Sequence, residues 1–297
     1  MTEVIDIPPA SVNQPVKDSI TEAEAALAES RKIPLPENPQ IASQMIELGD
    51  LYRNAGQIEK TIALFEEALN VIEQYASDTA SYYRIAHEIG AIHDTRGDSI
   101  KACRFYEEAL RIAETGRGVD ACEVATIHNN LAMTYKGRGK IDLAESHYHR
   151  ALEIYERVRG TDHPEVAAML NNLGALYIAQ KDFEMAEVMH LRALGLRQKA
   201  YGGNHPDVAQ SFSNLAVVYH SRQNWKKAGN YYRDALDVLG KQARTDWDEY
   251  SIVLRNYADF LRQTGKPKKA DELEGELNQR LEQIAANAAA AAEPPKA

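Results

Sequence analysis

The octapeptide LNNLGALY, residues 170–177, decides how this chain is interpreted. Its apolar spacing is that of a helix, yet Asn171 and Asn172 stand in its middle, where a short amide competes for backbone hydrogen bonds. A similar segment stands 42 residues earlier as HNNLAMTY (128–135) and 42 residues later as FSNLAVVY (212–219). A polar residue that returns at a constant distance inside a helix indicates a repeated unit.

The repeat extends over six copies and is clearest in a column of small residues. Its members are 41, 42, 42, 42 and 42 residues apart: Gly49, Gly90, Ala132, Gly174, Ala216 and Ala258. Three residues after them come Tyr52, His93, Tyr135, Tyr177, Tyr219 and Leu261, and twelve after them come Thr61, Ala102, Ala144, Ala186, Ala228 and Ala270. Because small residues let two helices approach closely, each repeat is predicted to be a helical hairpin.

Polar turns separate the two predicted helices of each repeat. Gly56, Gly97, Gly139 and Gly265 stand where a helix ends, because glycine enters the left-handed region at little cost. A short polar or acidic residue precedes each first helix and is predicted to cap it. These predicted caps are Glu37, Asp78, Asp120, Asp162, Asn204 and Asp246.

Composition and charge argue against several classes of protein. The net charge of −10 disfavours non-specific binding to nucleic acid, because phosphate contacts need clustered Lys and Arg. No apolar run is long enough for a membrane span, and the acidic start MTEVIDIPPA is unlike a secretory signal. Cys103 and Cys122 form no CxxC pair and no metal-ligand spacing. We therefore expect a cytoplasmic protein without metal or cofactor.

These columns resemble the tetratricopeptide (TPR) repeat in the 42-residue form found in kinesin light chain. The resemblance is carried by GTDHPEVAAMLNNLGALY (160–177) and GGNHPDVAQSFSNLAVVY (202–219) and covers roughly residues 39–280. It implies an all-α fold: a right-handed α-solenoid of six helix hairpins with terminal capping helices and a concave face that holds extended peptides. Kinesin light chain carries a long heptad coiled coil before its repeats, whereas only Lys17 to Lys32 could be helical here. The motor-subunit role is therefore not transferred.

The domain organisation follows from the columns. We expect a disordered segment at 1–17, a short capping helix and linker at 18–38, the array at 39–280 and an Ala-rich helical tail with a disordered end at 281–297. The six repeats are predicted at 39–77, 78–119, 120–161, 162–203, 204–245 and 246–280.

The binding face is predicted from the residues of each first helix that lie away from the small and aromatic columns. An asparagine amide can donate to and accept from the backbone of an extended peptide, whatever its sequence. The resemblance implies this use for the matching column. The predicted peptide-binding residues are Asn129, Asn130, Asn171, Asn172, Asn214, Asn256, Met133, Lys136, Ala175, Val217, His220, Arg255 and Arg262. Of the neighbouring pair, Asn172 is expected to hold backbone, and Asn171 to adjust selectivity.

Two alternatives stay open at this point. The amides could instead bridge adjacent first helices as structural hydrogen bonds. The chain could also be a self-assembling scaffold, a homo-oligomer that associates through the groove or the ends of the array.

Catalytic chemistry is not expected. HEIGAIH (87–93) resembles a zinc signature, but its histidines are six residues apart, about 240° around a helix, and cannot share a metal. No Ser–His–Asp or Cys–His arrangement stands out. The sequence therefore predicts a non-catalytic scaffold or adaptor whose partner is a protein or peptide.

Overall fold

The computed structural model describes residues 14–38, 40–75, 79–115, 119–241 and 247–292, and all regular structure in these residues is helical. A short 3-10 turn, Leu35–Glu37, lies between the first two helices. The helices are α1 (Gln14–Ser30), α2 (Ile41–Asn54), α3 (Ile58–Tyr75), α4 (Thr79–Thr95), α5 (Ser99–Thr115), α6 (Ala121–Gly137), α7 (Ile141–Arg159), α8 (Pro164–Gln180), α9 (Phe183–Tyr201), α10 (Pro206–Ser221), α11 (Trp225–Gly240), α12 (Trp247–Gln263) and α13 (Pro267–Ala292).

Helices that follow one another in sequence pack as hairpins: α2 with α3, α4 with α5, α8 with α9, α10 with α11 and α12 with α13. Successive hairpins also touch, since α3 lies against α4, α5 against α6, α9 against α10 and α11 against α12. This arrangement, an all-α array of TPR-type hairpins, confirms the predicted fold class. In the described residues, no helix is both long and apolar enough to cross a membrane.

The chain forms two compact units, residues 1–151 and 152–297, and the division falls inside α7. We call these the first and the second unit. The even 42-residue period gives no sign of such a boundary, because every repeat has the same pattern of small and aromatic residues.

The small column is explained by the rings that pack on it. A Cβ atom at Gly49 would lie 2.3 Å from the ring of Phe65, and one at Gly174 would lie 2.5 Å from the ring of His190. At Gly90 the nearest ring is that of Tyr106, again on the second helix of the same hairpin. At these three positions glycine therefore lets a ring from the second helix lie against the backbone of the first.

Tyrosines of the aromatic column tie each hairpin to the preceding helix. The Tyr52 hydroxyl donates to Glu24 Oε1 (2.5 Å), and that of Tyr219 donates to Glu187 Oε1 (2.5 Å). Tyr135 donates in the same way to Glu107. Each carboxylate lies on the helix just before the hairpin that carries its tyrosine, α1, α9 or α5.

The predicted turn glycines are in the left-handed region, with φ between 70° and 77° at Gly56, Gly97, Gly139 and Gly265. Two turns lack glycine, and there Lys181 (φ 63°) and Gln223 (φ 56°) adopt the same conformation. The turn geometry is thus a property of the repeat and is imposed on whatever residue occupies the position.

Capping differs in part from the prediction. Asp120 caps α6 as expected, and its carboxylate accepts from Cys122 N (2.7 Å). The predicted caps Asp162 and Asn204 are wrong by one residue. His163 and His205 occupy these positions, and their Nδ1 atoms accept from the backbone two residues further on, at 3.4 Å and 3.2 Å. The reason is that Pro164 and Pro206 begin α8 and α10.

The remaining predicted caps divide into two cases. Glu37 lies in the 3-10 turn, and α2 follows Gln40, which makes no capping bond with its side chain. Asp78 and Asp246 lie outside the described residues.

Both ends of the array carry an additional helix segment. Helix α1 begins at Gln14, so it includes four residues that the sequence assigned to a disordered segment, and it buries Ile20 and Leu27. At the other end, α13 runs to Ala292 and buries Leu277, which stands where the five earlier repeats have Ala68, Ala109, Ala151, Ala193 and Ala235. The disorder predicted for 1–13 and 293–297 concerns residues outside the described ranges.

Candidate functional site

The amide column lies on the first helices, with Asn130 on α6, Asn172 on α8, Asn214 on α10 and Asn256 on α12. All four side chains are half-buried. Three of them belong to the second unit, where α10 contacts both α8 and α12. The column therefore forms a row across neighbouring helices of that unit.

In the first unit, the amide of Asn130 is used within the fold. Its Nδ2 lies 2.9 Å from Nε2 of His87 on α4. Burial lowers the pKa of His87, although the carboxylate of Glu123 opposes the shift, so the neutral ring accepts the hydrogen bond. This is a bridge between adjacent first helices, which was the structural alternative for this column. Asn129 lies beside it, with Nδ2 3.6 Å from Met133 Sδ.

The charged residues of the first unit also pair among themselves. Arg53 bonds to Glu88 on the next first helix (2.7 Å) and lies 3.2 Å from Asp50. Arg84 bonds to Glu88 (2.9 Å) and lies 3.8 Å from Asp50. Two cations and two carboxylates thus neutralise one another between α2 and α4.

Asn171 is placed differently from its neighbour Asn172. Its side chain is 6% exposed and lies in the hairpin interior, so it is not available to a partner at the surface. The donors and acceptors around it require the amide oxygen to face Arg197 and the amide nitrogen to donate to His190 Nδ1 (3.0 Å). Asn172 is half-buried on α8 and has a partner of its own.

Arg197 completes this buried polar cluster. Its guanidinium donates to the carbonyl of Asp207 (2.8 Å), to Gln210 Oε1 (3.0 Å) and to Ser211 Oγ (3.0 Å). These acceptors are neutral, and burial lowers the pKa of Arg197. We refer to Asn171, His190, Arg197 and Ser211 as the polar junction, because they link the hairpin α8–α9 to α10.

Sequence reasoning missed the polar junction, although the alignment of repeats contains the signal. At the position of Arg197 the other repeats have Ile72, Ala113, Tyr155, Leu239 and Leu281, and at the position of Ser211 they have Gln44, Ile85, Ile127, Met169 and Val253. A cation in a column that is otherwise apolar indicates a local polar contact. Arg197 stands on a second helix, outside the first-helix columns from which the binding face was predicted.

The other predicted site residues are dispersed. Met133 and Arg255 are exposed, whereas Lys136, Ala175 and Val217 are half-buried. His220 is held by Tyr232 Oη (3.3 Å) and by Gln263 Oε1 on α12 (3.0 Å).

Arg262 is turned toward α13 and bonds to Asp271 (2.8 Å) and Glu274 (2.5 Å). Its charge is therefore neutralised by its own hairpin. Ile252, which the sequence did not single out, is 62% exposed on α12 near Arg255 and Asn256.

In the described residues, no three His, Cys, Asp or Glu side chains are grouped so that they could hold a metal ion. His93 of the HEIGAIH segment is buried in the aromatic column and stacks on Phe105 at 5.8 Å between ring centroids. Cys103 is buried and Cys122 half-buried, and neither is in a disulfide.

The tetratricopeptide repeat profile matches residues 40–115, 123–199 and 165–241, well over half of the chain. Among solved structures, BtubC (BKLC) from P. vanneervenii is 32% identical, with a TM-score of 0.61, and the match covers 76% of this chain and 91% of that one. No curated protein matches the chain.

Two further structures are similar in fold alone. A putative kinesin light chain from Podosopora anserina is 17% identical (TM-score 0.59, 68% of this chain and 96% of that one). The apo form of RapI is 14% identical (TM-score 0.63, 91% and 94%). The profile match and the 32% identity to BtubC lead to one conclusion: the chain belongs to the tetratricopeptide repeat family, and its 42-residue repeats are of the kind found in kinesin light chain.

Proposed function

We propose that the chain is a protein-interaction scaffold that holds an extended segment of another protein against the first helices of its second unit. TPR arrays present extended surfaces for binding other proteins. The proposal rests on the burial and hydrogen bonding of two amide side chains. Asn214 and Asn256 are half-buried on the adjacent helices α10 and α12, and neither makes a hydrogen bond to a described residue.

These two amides suit an extended backbone. Each can donate to a peptide carbonyl and accept from a peptide N–H, and an extended chain leaves both groups unpaired. The half-buried Val217 and the exposed Ile252 lie on the same two helices and offer apolar contact to a partner's side chains. Arg255 adds an exposed positive charge, which favours a segment with a carboxylate at this point.

Other predicted residues are left out of the proposed site because they already have partners. Asn130 is bonded to His87, Asn171 is buried in the polar junction, and Arg262 is neutralised by Asp271 and Glu274. Binding a peptide at these positions would first break a contact within the fold. The proposed site therefore centres on α10 and α12.

A peptide library tests the proposal while the natural partner is still unidentified. Random peptides of about 12 residues are displayed and selected on the wild-type chain, since this length spans three helices in extended form. Selected peptides are then titrated against the double variant Asn214→Ala/Asn256→Ala by fluorescence anisotropy. Loss of two backbone-type hydrogen bonds should weaken binding by about tenfold or more.

Asn230→Ala/Asn278→Ala is the matched control, because these amides are exposed on α11 and α13, the second helices of the same unit. The control should bind the selected peptides as the wild type does. If the Asn214/Asn256 variant keeps full affinity, or if both double variants lose it equally, the proposed site is wrong.

A further inference from the structure

The outer face of α9 differs from that of every other second helix. Met185, Val188 and Leu191 are 38%, 54% and 41% exposed and follow one another at helical spacing. At the position of Val188 the other repeats have Ala63, Arg104, Ser146, Asn230 and Glu272, and at that of Leu191 they have Glu66, Glu107, His149, Arg233 and Gly275. The outer row of α9 thus carries large apolar residues at two positions where the other second helices have polar or small ones.

Gly195 continues this face, and the single chain has room for a larger residue there. It lies inside α9, its φ is not positive, and a Cβ atom there would meet nothing within 4 Å. Glycine at an exposed helical position costs about 1 kcal/mol relative to alanine. A gap beside exposed Val188 and Leu191 is what a close helix–helix contact requires, because a small residue accepts a side chain from the opposite helix.

The charges at the two ends of this face are opposite. Glu184 stands at the start of α9 and Lys199 near its end, and both are exposed. Within the chain, Glu184 is paired with Arg222 (3.1 Å) and Lys199 with Asp162 (2.5 Å). Surface ion pairs of this kind contribute little to the free energy of folding, so either residue can change partner at low cost. The midpoint of the two positions falls beside Leu191. Arg192, next to it, is paired with Glu156 (2.5 Å), which neutralises its charge there.

We propose that α9 binds α9 of a second copy of this chain, antiparallel across a two-fold axis near Leu191. In this arrangement Val188 of each chain faces Gly195 of the other, and Glu184 of each faces Lys199 of the other. The charge pattern is complementary to itself only in the antiparallel direction, which selects a second copy as the occupant. The surface lies on a second helix and is separate from the proposed peptide site.

The size of the contact sets its strength. One helix of 19 residues is about 28 Å long and presents a narrow apolar face. Such an interface is at the low end of the range for specific complexes. The expected state is a dimer with a dissociation constant in the micromolar range, on the order of 10 µM.

Sedimentation velocity from about 1 µM to about 200 µM measures this equilibrium. The wild type should pass from monomer to dimer over that range. Val188→Glu should stay monomeric, because each dimer would bury two carboxylates against Gly195. Ile100→Glu is the matched control, since Ile100 is a 70% exposed apolar side chain on α5 with no such face around it, and it should dimerise as the wild type does.

A charge exchange tests the antiparallel pairing. Glu184→Lys and Lys199→Glu should each weaken self-association, because like charges would then face one another. An equimolar mixture of the two variants should recover a dimer, since both charge pairs become opposite in the mixed species. A wild type that is monomeric throughout, an unaffected Val188→Glu or a mixture that does not recover would each overturn the proposal. The peptide titration, repeated with Val188→Glu, should be unchanged and keeps the two proposals distinguishable.

Discussion

Single residues in this array are constrained mainly where a ring contacts a backbone. His190 shows this most clearly. Its ring lies against Gly174, its Nδ1 accepts from Asn171, and its side chain is fully buried. Burial, and secondly the cation of Arg197, lower the pKa of His190 to about 4. The ring is therefore neutral in the folded chain above about pH 4.

We expect acid to destabilise the chain through His190. The unfolded ring binds a proton below its ordinary pKa of about 6.5, whereas the folded ring does not until about pH 4, so the free energy of unfolding falls as the pH drops between these values. The upper limit of this loss is about 3 kcal/mol. Urea unfolding at several pH values measures it. Other repeats have a tyrosine at this position, among them Tyr148 and Tyr232, so the control variant is His190→Tyr. The free energy of unfolding of this variant should depend less on pH. If it changed with pH as steeply as in the wild type, His190 would not be the group responsible.

Gly49→Ala should destabilise the chain although alanine is the better helix former. The added Cβ would lie 2.3 Å from the ring of Phe65, so the ring or the helix must move, at a cost of about 1–3 kcal/mol. Gly195→Ala is the matched control and should stabilise the chain by up to about 1 kcal/mol, since space is open there. Thermal unfolding of both variants at low concentration measures the difference in sign. If the unfolding temperatures of both variants moved in the same direction, contact with the Phe65 ring would not explain the glycine at position 49.

At the scale of the helices, the ends of each element depend on a few positions. The turn between the two helices of a hairpin needs one residue in the left-handed region, and four glycines supply it at little cost. Lys181 and Gln223 adopt the same φ with a side chain present. Their helices nevertheless end where the alignment places them, because packing on both sides of the turn outweighs about 1 kcal/mol of backbone strain.

Replacing Lys181 or Gln223 by glycine should therefore stabilise the second unit by about 0.5–1 kcal/mol each. The reverse change, Gly97→Ala or Gly139→Ala, should cost about 1 kcal/mol, because alanine meets the strain that lysine and glutamine now bear. Denaturant midpoints of the four variants provide the measurement. A loss of stability on introducing glycine at both positions would show that these side chains contribute more than their strain costs.

The sequence predicted the helices well and the contacts between them only in part. The hairpins and turn glycines followed from the period and from residues whose physical requirement is local, such as Gly56 and Gly139. The starts of α8 and α10 were displaced by one residue because Pro164 and Pro206 fix the first helical position, so that histidine becomes the cap. The bond between Asn130 and His87 was one of two alternatives for the amide column, and the sequence could not decide between them because the outcome depends on how closely two first helices approach.

At the scale of the whole chain, the junctions between neighbouring hairpins hold the array together. In a repeat protein each hairpin contacts only its neighbours, so the weakest junction sets where the structure opens. At the positions equivalent to Arg197 and Ser211, the other repeats carry Ile72 and Ile85, Ala113 and Ile127, Tyr155 and Met169, and Leu239 and Val253. The exception is Arg197 with Ser211, where a buried cation is held by neutral acceptors.

Converting the polar junction to residues of the other repeats should stabilise the array. The combined variant Asn171→Ile, His190→Tyr, Arg197→Leu and Ser211→Val removes the buried charge of Arg197 together with two of its side-chain partners, Asn171 and Ser211. Replacing buried charged groups by apolar residues is, in other proteins, neutral or stabilising by about 1–4 kcal/mol. Ser211→Val alone should destabilise by about 1–3 kcal/mol, because it leaves the guanidinium short of an acceptor.

Urea unfolding gives both values for these variants. Hydrogen exchange should show α9 and α10 gaining protection in the combined variant. If the single change were harmless, Ser211 would not be needed to satisfy the guanidinium.

In each tyrosine–carboxylate contact between a hairpin and the preceding helix, the carboxylate is synthesised before the tyrosine. Tyr52, Tyr135 and Tyr219 each bond to a carboxylate that lies 28 or 32 residues earlier in the chain. During synthesis that carboxylate leaves the ribosome before the tyrosine does. Synthesis adds about 5–20 residues per second, whereas a hairpin forms in far less than a second. When a first helix is newly made, the helix that carries its hydrogen-bond acceptor is therefore already present. Growth of the array can proceed from the N-terminus in the order of translation, with each finished hairpin serving as the template for the next.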